Sequence, residues 1–191
     1  GFAEKVDNNV YNSSMIVTPD GKIRVYRKTH LFDSEKLLFE PGNTGFFVEK
    51  DTSGISLGMM ICFDWIFPES ARTLALKGAQ VICHPVNLVL PWCQEAMKTR
   101  CVENLVFAIT ANRTGTECVG GKTLTFTGQS QITSARGEIL YRAGKDTEEL
   151  HILEINPEDA LEKHVTDRNH VLQDRREEFY YKNSKEIKIK N

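Results

Sequence analysis

Gly58-Met59-Met60-Ile61-Cys62-Phe63-Asp64-Trp65-Ile66-Phe67-Pro68-Glu69 is an apolar run that breaks abruptly into a helix start. The part from Ile55 to Ile61 is apolar enough to be a central strand covered on both faces. Such a strand delivers Cys62 at its carboxyl end, just before a turn, which is where α/β folds place a nucleophile. Pro68 at the first turn, Glu69 facing the positive end of the dipole and Gly78 as the stop define a helix through Lys77. Val81 to His84 reads as the next buried strand, and such strand-helix-strand units build parallel sheets. The cycle repeats with a helix around Gln94 to Leu105 and a strand at Val106 to Ala111, so the fold class is α/β.

Upstream, Ser13 to Val17 and Lys22 to Arg27 are β-like runs joined by Thr18-Pro19-Asp20-Gly21, a hairpin turn signal. Lys28 to Asn43 has no clean period and ends at Pro41-Gly42, so it reads as a long loop with one short helical turn; long loops in compact domains usually carry function. Phe46 to Glu49 is a further strand. Downstream of the repeat, Gly128 to Thr133, Glu138 to Tyr141 and Glu149 to Ile155 look like strands linked by turns such as Ala135-Arg136-Gly137. The charged remainder from Pro157 to Asn191 contains Asp174-Arg175-Arg176-Glu177-Glu178-Phe179-Tyr180-Tyr181. At the other end the chain opens on Gly1 without Met, and Gly1-Phe2-Ala3-Glu4 reads as the tail of a strand already under way, which points to a missing upstream piece.

Composition narrows the function classes. With 191 residues, 40% of them hydrophobic, and a net charge of −2, the chain can bury a core as one domain, and neither sign of charge calls for nucleic acid or an anionic membrane. No apolar stretch reaches the ~18 residues of a membrane span, and no signal-peptide pattern opens the chain. Cys62, Cys83, Cys93, Cys101 and Cys118 are odd in number and lack CxxC spacing, which argues for reduced thiols in a cytoplasmic protein rather than a disulfide framework or a zinc site.

A cysteine of ordinary pKa is only a few per cent thiolate at neutral pH, so a catalytic one needs a nearby cation or base. Lys28, in Tyr26-Arg27-Lys28-Thr29-His30-Leu31 at the end of the hairpin, is the candidate, with adjacent strand ends of one sheet bringing it to Cys62. Its ammonium would stabilise the thiolate and the oxyanion formed when sulfur adds to a carbonyl or nitrile carbon. Glu35 follows seven residues later and is suited to keep that lysine charged. Taken singly, a buried cysteine is usually a small core hydrophobe, and Lys28 and Glu35 would be ordinary solvated residues. His30 and His84 have neither the order nor the spacing of a Cys-His dyad. Cys83, Cys93, Cys101 and Cys118 read as packing residues, and Arg100 and Glu103 as a structural ion pair on one helix. Asn87 follows the strand after Cys62 and so borders the same sheet end; no arginine stands beside it to clamp a substrate carboxylate. Trp65 and Trp92 are candidates for the acyl pocket, with at least one of them in the core.

Arg27-Lys28-Thr29-His30-Leu31, Glu40-Pro41-Gly42-Asn43, Met60-Ile61-Cys62-Phe63-Asp64 and Pro68-Glu69-Ser70-Ala71-Arg72 together resemble the nitrilase superfamily of carbon-nitrogen hydrolases. The likeness continues through Tyr11-Asn12-Ser13, His84-Pro85-Val86-Asn87, Arg100-Cys101-Val102-Glu103-Asn104 and Phe126-Thr127-Gly128-Gln129-Ser130, nearly the whole chain. Phe63-Asp64-Trp65 and Asp174-Arg175-Arg176-Glu177-Glu178 are similar to stretches in thermophilic archaeal nitrilases that act on small aliphatic nitriles. The resemblance implies a four-layer α-β-β-α sandwich that pairs with a second copy in a homodimer or larger homo-oligomer, with residues 157–191 as a C-terminal extension at the interface. It implies a Glu-Lys-Cys triad without metal or organic cofactor. Cys62 would be the nucleophile, Lys28 the oxyanion stabiliser and Glu35 a supporting glutamate. The Phe63 amide would be a second donor, with Trp65 and Asn87 bordering the substrate.

In the family order the general-base glutamate precedes everything in this chain, and Glu4 lies after that motif. The expectation is therefore a single domain, incomplete at its N-terminus by roughly a quarter of a family member and inactive in isolation. The implied reaction hydrolyses a small aliphatic nitrile or amide to a carboxylic acid and ammonia through a cysteine thioimidate or thioester. The alternative is a non-catalytic homologue that acts as a binding or assembly subunit; an abandoned site, however, would be free to lose Lys28, Glu35 and Cys62.

Overall fold

In the computed structural model, which describes residues 1–180, two sheets and one helical layer stack on one another. Strands β1 (Phe2–Val6), β2 (Asn9–Val17) and β3 (Ile23–Arg27) form an antiparallel three-stranded meander. The expected turn closes β2 onto β3: Gly21 takes a left-handed φ of 82° and its N–H donates to the Thr18 carbonyl at 2.8 Å. The first residues, expected as a strand tail, pair fully with β2 from Phe2 opposite Ser13 to Val6 opposite Asn9.

The second sheet is built from β4 (Val48–Lys50), β5 (Ser56–Met59), β6 (Val81–Val86), β7 (Phe107–Asn112), β10 (Gln131–Thr133) and β11 (Ile139–Arg142), ordered β11-β10-β7-β6-β5-β4. Its centre, β5-β6-β7, is parallel, as the strand-helix-strand reading requires, and both edges are antiparallel. Helices α1 (Pro68–Leu76) and α2 (Cys93–Val102) are the two crossovers. Gly78 ends the first as expected, at φ 87°.

Two apolar cores fix the layers. Leu74, Ala75, Met97 and Cys101 of the helices pack on Ile82 and Ala108 of the parallel strands and on Met60 and Val106, which adjoin the ends of β5 and β7. On the opposite side, Ile16 and Tyr26 of the meander meet Met59 and Ile61. Helices, large sheet and meander are thus three stacked layers, and among the described residues no helix covers the outer face of the meander, where Met15, Val17 and Ile23 are exposed.

Three expectations are corrected. Glu149–Ile155 joins no ladder. It is held instead by Glu149, which accepts from the Tyr141 hydroxyl and the Gly144 amide, and by His151 stacked on Tyr141 at 3.6 Å. Lys28 and Cys62 do not sit at neighbouring strand ends of one sheet; they belong to facing sheets, because β4 occupies the edge of β5 where a hairpin partner would lie. Cys118 is not a packing residue. It lies on an exposed hairpin of β8 (Thr116–Val119) and β9 (Lys122–Thr125), whose turn, Gly120-Gly121, supplies the two positive φ values that a tight hairpin needs.

The C-terminal part begins with a short 3-10 turn at Pro157–Ala160 and a two-stranded ladder of β12 (His164–Thr166) and β13 (Asn169–His170). Lys163 anchors it by donating to the carbonyls of Asn104 and Leu105 beyond the end of α2, at 3.0 and 2.7 Å. Tyr181 and the rest of the expected extension to Asn191 lie outside the described residues.

Two residues fix the backbone at Lys28 and at Cys62. The Gly42 N–H donates to the Lys28 carbonyl at 2.9 Å, and a Cβ at Gly42 would overlap the Arg27 carbonyl. His84 on β6 is fully buried; its Nε2–H donates to the Cys62 carbonyl at 3.0 Å and its Nδ1 accepts from the Thr110 hydroxyl at 3.2 Å. Burial holds the imidazole neutral, with a pKa lowered from 6.5 to about 4.

Gly42→Ala is expected to lower stability by about 1–3 kcal/mol, read as a lower urea midpoint at unchanged slope. For His84 the unfolded chain binds the extra proton first, so its contribution is complete above pH 6.5 and is lost as pH falls from 6.5 to 4. Urea titrations across that window are expected to show an acid loss on the order of 3 kcal/mol that is missing in His84→Gln, whose amide can still donate to the Cys62 carbonyl.

Candidate active site

Past the end of β5 the chain turns through a 3-10 segment, Cys62–Ile66. Cys62 begins it at φ 42°, a conformation that side-chain-bearing residues adopt only where the surroundings enforce it. Arg100 supports the segment from α2, donating to the Trp65 carbonyl at 3.0 Å while pairing with Glu103 at 3.0 Å, so the expected ion pair exists and also braces this turn.

Lys28 arrives from the opposite sheet. It directly follows β3 and is only 1% exposed, contrary to the solvated position that a lone lysine suggests. Its ammonium meets Glu35 Oε2 at 2.6 Å. Glu35 stands on the short helical turn Asp33–Leu37, inside the segment read as a loop with one such turn. The Phe32 N–H also donates to Glu35 Oε2, at 2.7 Å, and Asn12 Nδ2 donates to Oε1 at 3.0 Å. Both carboxylate oxygens are therefore engaged, one of them by the buried Lys28.

Opposing effects act on the Cys62 thiol. Burial pushes it up, and this outweighs the Lys28 ammonium and, after it, the Asn87 and Phe63 backbone, which pull it down; Glu35 adds a smaller upward push. The sulfur faces the Asn87 carbonyl at 3.9 Å, past the end of β6. A thiol whose pKa is raised can act as a nucleophile only once a base takes its proton.

An open cleft of about 660 Å³ leads to the sulfur, lined among others by Asn12, Glu35, Cys62, Asn87, Asn112 and Arg113. An apolar slot adjoins it, walled by Phe32, Phe63, Trp65, Leu88, Val89 and Leu90. Cys62, Lys28, Glu35, Phe63, Trp65 and Asn87 thus gather at one place. Trp65 is buried in the wall, whereas Trp92 is 58% exposed and lines neither space. Neither histidine meets the sulfur through a hydrogen bond: His84 holds the Cys62 backbone and His30 is bound to Asp64. Glu4 is committed to Arg27, which it accepts at 2.9 and 2.7 Å.

Two features escaped the sequence reading. Arg113 reaches the cleft that Asn87 lines, stacked on Phe126 and paired with Glu117 at 2.7 Å, although no arginine was expected there. Asp64 is fully buried and accepts from Tyr26, His30 and the Ile61 amide. Its one signal was a lone carboxylate closing an apolar run, a group that must find donors once buried.

Residues 1–163 match the family described as Carbon-nitrogen hydrolase. A nitrilase of Pyrococcus abyssi is 48% identical over 182 residues, which cover 95% of this chain and 68% of that protein. An (R)-stereoselective amidase of a Pseudomonas species is 38% identical over 159 residues, covering 82% of this chain and 56% of that protein. Among solved structures, a glutamate-to-glutamine variant of the amidase from Nesterenkonia sp. AN1 superposes with a TM-score of 0.73 at 28% identity, over 88% of this chain and 60% of that one; its active-site cysteine carries the covalently added acetamide moiety of fluoroacetamide. The chain therefore spans 56 to 68% of the length of these relatives. With its sheet order, its cysteine turn and the match across residues 1–163 in agreement, the chain belongs to the carbon-nitrogen hydrolase family.

Proposed function

We propose that this chain carries the nucleophile half of a hydrolase that converts small aliphatic nitriles or amides to carboxylic acid and ammonia. The observation that carries the reading is the buried Lys28 ammonium, held by Glu35 and acting on the Cys62 thiol. A buried ammonium is costly unless it is paired, and an exposed salt bridge would have served stability equally well. Its position suits a reaction in which negative charge develops next to sulfur.

In the proposed sequence a base takes the Cys62 proton and the sulfur adds to the nitrile or amide carbon. Lys28 and the Phe63 amide receive the developing negative charge. An amide adduct loses its protonated nitrogen as ammonia directly, whereas a nitrile gives a thioimidate that must first add one water before ammonia leaves; either way a thioester remains, which a further water hydrolyses to the acid, regenerating the thiol. The polar cleft beside Glu35 suits the nitrogen side of the substrate, and the apolar slot walled by Trp65 suits the acyl chain.

Glu35 is a poor candidate for the base, since Lys28, Phe32 and Asn12 already occupy its oxygens. We assign that task to a glutamate outside these 191 residues, as the family order implies, and infer that the 191-residue chain alone does not turn over. The working form is proposed to be a cytoplasmic homodimer or larger homo-oligomer. Its five free cysteines fit a reducing compartment, and the charged run ending in the exposed Phe179 and Tyr180 offers an interface. No helix among the described residues is long and apolar enough to cross a membrane.

Ammonia release by the native gene product, given a small aliphatic dinitrile and the matching amide, is the test. Turnover is expected to vanish in Cys62→Ala and to fall by ~10²-fold or more in Lys28→Met. Silence on both substrates would favour the non-catalytic assembly subunit. Turnover by the 191-residue chain alone that Cys62→Ala abolishes would overturn the assignment of an external base.

A further inference from the structure

Asp64 is none of the groups that the proposed reaction uses, yet it touches both chain segments that carry them. Its carboxylate has no exposed surface. Oδ2 accepts from the Ile61 N–H at 2.9 Å, on the residue joined to Cys62, and from the Tyr26 hydroxyl at 2.8 Å. Oδ1 accepts from the His30 backbone N–H at 3.1 Å and from His30 Nδ1 at 2.8 Å. Tyr26 and His30 stand two residues before and two residues after Lys28. One carboxylate therefore grips the cation's segment on both sides and the residue that leads into the nucleophile's turn, across the gap between the two sheets.

The grip falls where the chain needs holding. Cys62 sits at φ 42° and returns to a relaxed backbone unless its neighbours prevent it. The Ile61 amide is pinned from one side by Asp64, and the Cys62 carbonyl from the other by His84. His30 is fixed further by stacking on Phe67 at 3.8 Å, so the group that ties Asp64 to the lysine segment is itself immobilised.

We propose that Asp64 is a positioning residue that sets the Lys28 ammonium against the Cys62 sulfur. The inference rests on the reading of Cys62 as nucleophile and Lys28 as its cation. It differs from a purely structural role for Asp64 in one respect: its effect on the sulfur runs through Lys28 and disappears when Lys28 does.

The test is a double-mutant cycle on the native gene product, reading the rate at which iodoacetamide alkylates Cys62 at pH 7, assigned by peptide mass spectrometry, with the exposed Cys118 as internal reference. Lys28→Met is expected to slow Cys62 about tenfold through loss of thiolate. Asp64→Asn, whose amide turns an N–H toward donors, is expected to slow it to a similar degree with Cys118 unchanged. Lys28→Met/Asp64→Asn is then expected to be no slower than Lys28→Met alone.

A double variant slower by the product of the two single effects would overturn the proposal, as would an Asp64→Asn rate within twofold of the parent while Lys28→Met is slow. An unchanged rate in Lys28→Met would overturn the assignment of Lys28 itself, and the positioning role with it. Circular dichroism checks the fold. If Asp64→Asn does not fold, Tyr26→Phe, which removes one donor and keeps the carboxylate, is expected to give about a threefold loss that is likewise absent in the Lys28→Met background.

Discussion

The carboxylate of Asp64 is taken wholly out of water, in a molecule whose other acidic side chains are mostly at the surface. An unpaired carboxylate in such a place is strongly destabilising, so donors must be aimed at both of its oxygens before the surrounding chain can close. They come from Tyr26 and His30 of one layer and from Ile61 of the other. That requirement couples the two sheets with more directional precision than apolar contact provides. Ile16 and Tyr26 against Met59 and Ile61 bring the sheets together, but such packing tolerates small shifts in a way that hydrogen bonds do not.

Once the sheets are coupled, the electrostatics of the candidate site follow. Lys28 has left water with Glu35 as its partner, and Glu35 is itself held by Asn12 and by the Phe32 amide. Charge is nearly balanced within this group, so the ammonium pulls the Cys62 thiol down less than an isolated cation would. Burial prevails and the sulfur rests protonated.

His84 illustrates the same economy on the helix side of the site. A buried imidazole with a lowered pKa is a familiar mark of catalysis, yet both of its nitrogens are occupied by Thr110 and by the Cys62 carbonyl. It acts as a neutral strut, and its cost appears as acid sensitivity of the fold.

By itself, the sequence determined what depends on neighbours along the chain. The apolar run ending at Cys62, Pro68 and Gly78 around the first crossover helix, and the Asp20-Gly21 turn each encode local backbone geometry, and strand, helix and turn formed where their periods and turn residues placed them. Together with the resemblance, they also pointed to Cys62, Lys28 and Glu35. The tertiary structure alone decided that Lys28 approaches from the opposite sheet, that Arg113 enters the cleft and that Asp64 binds both segments. It also decided that Glu149–Ile155, which reads as a strand, stays outside the ladder, held by the Tyr141 side chain and the Gly144 amide. Periodicity records which face a residue turns toward the interior, but it carries no information on which distant segment will meet it there. That is settled when the layers pack and each buried polar group must find its partner.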